Sequence, residues 1–190
     1  LIGYSASISV SKSKEGVVEI ENHSKGLLYA QLHQTMRLEK DTLAECDDRG
    51  LSIKVKYTTL SNEFLDVQNL KRGTDVMAYV TVQNNTTSVM EDISLTHIIP
   101  SGWEIYHVET LLSEDNVSKG DINKGICYQD IRDDRVLSYF DLQPLQSKTI
   151  LVRLHATYAG EYVLPAIQAE QMYKTSVYGR TRAGKATVLR

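Results

Sequence analysis

The residues best suited to chemistry in this chain are five histidines, two cysteines and a knot of carboxylates. Asp130, Asp133 and Asp134, taken with Glu104 and Asp141, have the composition of a calcium site or of an acid–base carboxylate pair. Their spacing is not that of an EF-hand loop, and Arg132 and Arg135 are interleaved among them. The segment therefore reads as a charged hairpin whose arginines offset its acids. Among His23, His33, His97, His107 and His155 there is no His-Glu-x-x-His pair, and no Cys-x-x-Cys accompanies them. His155 falls on the outward phase of a strand and is expected at the surface, while His97, just before Ile98-Ile99-Pro100, is expected to make a polar contact at a strand end.

The serines form no Gly-x-Ser-x-Gly elbow and the glycines no phosphate-binding loop. Glycines 73, 102, 125, 160 and 179 instead suit turns. No nucleophile, base and orienting group can be assembled by motif, so neither an enzyme nor a cofactor or metal site is expected. Cys46 and Cys127 would make one disulfide if they met, but a domain of this length needs no staple, and unpaired thiols are the favoured reading.

The chain has 190 residues, with 24 acidic against 21 basic side chains and a formal net charge of -3. Nucleic acid would require a basic footprint, and the lysines and arginines here are scattered or alternate along strands. No apolar run reaches the roughly 18 residues of a membrane span, and no basic-then-apolar signal segment opens the sequence.

Alternation with period two dominates what remains. Leu51, Ile53, Val55 and Tyr57 share one face, as do Val76, Ala78, Val80 and Val82, and again Ile150, Val152, Leu154 and Ala156. Turn signals at Asp48-Arg49-Gly50, Lys71-Arg72-Gly73, Asn84-Asn85, Pro100-Ser101-Gly102 and Ala159-Gly160 leave too little room between most runs for crossover helices. Each apolar face needs a covering sheet, which predicts an all-β antiparallel sandwich of seven or more strands. Val76, Val80, Val82, Val136, Ile150, Val152 and Leu154 are its expected core. A turn or two of helix is expected at Val108 to Leu112, and Gln168 to Tyr173 suits helix and extended chain alike. Residues 1–34 form a separate strand-rich partial domain, too small to bury its own faces, and the sandwich occupies 45–190.

Two late segments, Tyr128 to Asp141 and His155 to Gly179, are specific enough to suggest a family. With Asp48-Arg49-Gly50-Leu51-Ser52-Ile53, Leu70 to Val76, Ile98-Ile99-Pro100-Ser101-Gly102-Trp103-Glu104-Ile105 and Tyr158 to Pro165, in that order along 45–190, they resemble the last macroglobulin domain of bacterial alpha-2-macroglobulins. The resemblance implies a macroglobulin, fibronectin-III-like sandwich anchored by Pro100, Gly102, Trp103, Tyr158, Gly160 and Pro165. Trp103 would pack behind the Pro100 to Gly102 turn with its indole nitrogen near a polar partner. It further implies a non-catalytic structural and recognition region of a protease trap in the cell envelope, periplasmic or extracellular, anchored through a lipoprotein parent. Its partners would be the parent's other domains, including a helical thioester-type domain, and target proteases through the intact parent. Residues 1–34 would be return strands of the domain that holds the thioester domain. The Cys-x-Glu-Gln thioester motif is absent from this chain. A stand-alone adhesion or protein-binding sandwich is the alternative reading.

Overall fold

A computed structural model describes residues 21, 23, 26–29, 45–112 and 126–190. The chain divides into two compact units, Leu1–Glu39 and Lys40–Arg190, and the described strands all belong to the second. The expected strand-rich unit at 1–34 lies almost wholly outside the described residues, as does Gly125.

The described residues fold into strands β1 (Asp47–Arg49), β2 (Leu51–Thr58), β3 (Leu70–Lys71), β4 (Asp75–Asn84), β5 (Met90–Ile98), β6 (Trp103–Leu112), β7 (Ile126–Ile131), β8 (Arg135–Leu142), β9 (Ser147–Ala156), β10 (Gly160–Leu164), β11 (Gln168–Gln171), β12 (Tyr178–Arg180) and β13 (Gly184–Leu189). They assemble into a six-stranded sheet in the order β1-β12-β11-β5-β8-β7, a four-stranded sheet β2-β4-β9-β6 and a three-stranded sheet β10-β13-β3. Every pairing is antiparallel except β13 with β3, which runs parallel through Val188 opposite Leu70. This is the expected all-β sandwich, with one parallel seam that alternation alone does not encode.

The period-two faces come together as predicted. Val76, Ala78, Val80 and Val82 of β4 and Val152, Leu154 and Ala156 of β9 are fully buried, with Ile150 nearly so. The register sets Val80 opposite Ile150 and Ala78 opposite Val152, so the apolar residues of neighbouring strands lie side by side on one face. A single core joins them to Ile93, Leu95 and Phe140 of the six-stranded sheet and to Leu70, Ala186 and Val188 of the three-stranded one.

One local expectation changes, and one left open is decided. Val108 to Leu112 continues β6 instead of turning into helix, because it pairs residue by residue with Val152 to Lys148 of β9. A central strand's open ladder outweighs the modest helix propensity of so short a run. Gln168–Gln171 is strand β11, held between β5 and β12.

Candidate functional site

The corner at Pro100 gathers most of the expected anchor residues. The chain leaves β5, turns through Pro100 and Gly102, and closes with the Trp103 amide donating to the Pro100 carbonyl at 3.0 Å. The Gly102 carbonyl then accepts from the amides of Thr157 and Tyr158, tying the turn to the end of β9. Tyr162 lies across this junction. Its hydroxyl donates to the Tyr158 carbonyl at 3.0 Å, a tyrosine corner that reaches back four residues.

A Cβ at Gly102 would stand 2.2 Å from the Tyr162 ring, and one at Gly160 would stand 2.9 Å from its hydroxyl. Both glycines are therefore required by the close approach of one ring. Tyr158 contributes backbone; its side chain is exposed. Pro165 stands apart, half-buried one residue beyond β10. Tyr162 is the member that motif reasoning passed over, and its signal was available: a tyrosine two residues after Gly160 and four after Tyr158.

Trp103 is 3% exposed and meets Tyr57 edge to face, with centroids 6.2 Å apart and planes at 87°. Its indole nitrogen has no hydrogen-bond partner among the described residues, contrary to the expected polar contact. The ring is held by packing and by the aromatic pair.

His97 also departs from expectation. It continues the inward series Ile93, Leu95, His97, Ile99 and is 3% exposed, with Nδ1 unpartnered. Burial pushes its pKa down to about 4, so the ring is neutral at physiological pH. His155 is on the outward phase as expected but is half-buried, with Nδ1 2.9 Å from Asp75 Oδ1. Arg153 Nη2 donates to the other Asp75 oxygen at 2.8 Å. The hydrogen bond from His155, and then that from Arg153, holds the Asp75 carboxyl below its ordinary range.

Two of the three acids in the hairpin are paired within it. Arg132 reaches Asp130 at 2.8 Å and Arg135 reaches Asp134 at 2.6 Å. Hydrogen bonding from Arg135 lowers the Asp134 pKa. Among the described residues no three His, Cys, Asp or Glu side chains are grouped as a metal site requires.

Cys46 and Cys127 are both free and exposed. Cys46 precedes β1 and Cys127 lies in β7, the two outermost strands of the six-stranded sheet. Five strand spacings of roughly 4.8 Å separate them, far beyond the roughly 7 Å Cα limit of a disulfide.

The arrangement is thus one of packing, capping and ion pairing. The sequence profile described as "Bacterial Alpha-2-macroglobulin MG10 domain" matches residues 50–175. The chain belongs to that family. Alpha-2-macroglobulin of Pasteurella multocida (strain Pm70) is 29% identical over 130 residues, covering 68% of this chain and 6% of that protein. Salmonella alpha-2-macroglobulin reacted with methylamine superposes with a TM-score of 0.66 at 19% identity, over 79% of this chain and 10% of that one. Trypsin-activated alpha-2-macroglobulin from Escherichia coli gives 0.63 at 17%, over 77% of this chain and 11% of that one. The chain therefore spans only a small part of the length of the relatives it matches. No helix among the described residues is long and apolar enough to cross a membrane.

Proposed function

We propose that this MG10 domain is the non-catalytic C-terminal structural and recognition region of a bacterial protease trap of the cell envelope. The observation that carries the reading is the family match across residues 50–175. Several of its ionisable groups are tied into structure: Asp75 is held by Arg153 and His155, Asp130 by Arg132 and Asp134 by Arg135. In this reading Pro100, Gly102, Trp103, Tyr158, Gly160 and Pro165 anchor the corner, residues 45–190 are the working domain, and 1–34 belong to the neighbouring domain. The partners are then the other domains of the parent, a helical thioester-type domain among them, and proteases through the intact parent.

The test is made on the full-length parent. Incubated with trypsin, the parent is expected to retain the protease in a complex that survives gel filtration. A variant lacking residues 45–190 is expected to be cleaved and to release it. Equal retention by both proteins, or no retention by the parent, overturns the reading.

A further inference from the structure

The hairpin between β8 and β9 turns on Gln143-Pro144-Leu145-Gln146, closed by the Gln146 amide donating to the Gln143 carbonyl at 3.1 Å. Proline fixes a negative φ at the second place of this turn, and Leu145 at the third has a φ of 64° less 5°, that is 59°. A turn of that form takes glycine or asparagine at its third place, because a bulkier residue's Cβ crowds the backbone there. Leucine is thus the wrong residue for its own backbone. Its side chain is 63% exposed, so the sandwich gains little from it in return. The hydrogen bond from the Leu145 amide to the Thr86 carbonyl, at 3.1 Å, would be made equally by asparagine.

That bond joins the turn to the loop between β4 and β5. Asn84, fully buried, strengthens the junction: its Nδ2 donates to the carbonyls of Ser88 at 2.8 Å and Gln143 at 3.1 Å. Val89, 47% exposed, adds a second apolar side chain from this loop. Residues 84–90 and 143–147 contain no charged side chain, although charged residues make up 24% of the chain. Depletion of charge around exposed apolar side chains marks the centre of a protein interface.

Size and charge choose the occupant. Leu145 and Val89 offer far less than the roughly 1,200 Å² that a free, specific complex buries, so a second copy of the chain would not stay bound. An anionic bilayer calls for lysine or arginine around an apolar tip, and these two loops have none. A patch this small suffices where the partner is tethered, because linkage within one polypeptide supplies a high effective concentration. The chain spans only 6% of the Pasteurella multocida relative, which leaves most of such a polypeptide to supply tethered partners.

We propose that the apolar tip formed by Leu145 and Val89 docks on an uncharged apolar patch of another domain of the same polypeptide, and that leucine stands in a glycine's place for that contact. The contact presupposes the reading that the parent's other domains are partners of this one, but not that the parent retains proteases.

The experiment compares amide hydrogen exchange in the 190-residue chain and in the full-length parent. Amides of residues 86–89 and 145–147 are expected to exchange about tenfold or more slowly in the parent. Leu145→Asn is expected to speed them about fivefold or more in the parent, while the melting midpoint of the 190-residue chain stays unchanged or rises, since asparagine suits the turn. Equal exchange in chain and parent, protection confined to another face, or a clear drop in the chain's own midpoint overturns the proposal. So does self-association of the isolated chain, or its binding to phospholipid vesicles, that Leu145→Asn abolishes. A parent that protects these loops yet does not retain trypsin supports the docking and removes only the trap reading.

Discussion

The two faces of the four-stranded sheet are built by the same strands, one residue out of phase, and they differ in what they ask of a side chain. Inward, Val76, Ala78, Val80 and Val82 are fully enclosed, the first three opposite Leu154, Val152 and Ile150 and the last opposite the buried Lys148. Outward, Met77, Tyr79, Thr81 and Gln83 are half-exposed and share their rows with lysine, arginine and glutamate. The inward face is specified by volume, whereas the outward face is specified by how charges are spent. Substitutions should therefore register strongly in stability on the inward face and weakly on the outward face.

Leu154→Ala should break the inward face most severely. The side chain is fully buried, and truncation is expected to cost about 2–5 kcal/mol in urea-induced unfolding, with an unchanged denaturant slope. A cost near zero would mean the enclosing sheets can collapse into the gap.

Acid should be the next largest perturbation, through His97. Its folded pKa of about 4 lies below the ordinary value of 6.5, so between those limits the unfolded chain binds more protons than the folded one. Stability is expected to fall as pH drops through that window, by roughly 3 kcal/mol in all. A His97→Leu variant is expected to flatten this limb of the pH profile. The Asp75 contribution has the depressed-carboxylate sign, so it survives this window and is lost only at lower pH, as the carboxyl itself protonates.

The smallest effect is expected outward. Lys56→Ala should change stability by no more than about 0.5 kcal/mol, because the side chain is exposed and makes no ion pair among the described residues. A loss of several kcal/mol would show that the outward face is also specified by packing.

The same contrast explains how far the sequence could be read. Inward faces of β2, β4 and β9 were legible because enclosure leaves an unbroken period-two signal. His97 carried that signal too, in phase with Ile93, Leu95 and Ile99, but its polarity pointed toward a strand-end contact. Val108 to Leu112 misleads toward helix because a five-residue run cannot distinguish the two periodicities, and only its pairing with β9 decides. The corner was legible as Pro100, Gly102 and Trp103, whereas Tyr162 was not, since it is a space constraint between segments some 60 residues apart that forbids a side chain at Gly102.

The pairing of β1 with β12 and of β3 with β13 joins the earliest described strands of the sandwich to its latest. A ribosome adding about 5–20 residues per second takes on the order of ten seconds to pass from Asp47 to Arg180. Through that interval β1 and β3 wait without their partners, and neither sheet seam can close. The nascent chain thus exposes half-built apolar strands for far longer than a helical domain of similar length, whose contacts close locally as it emerges. Residues 178–189 act as the clasp of the fold, and a ribosome stalled before they emerge is expected to hold a chain open to chaperones and proteases.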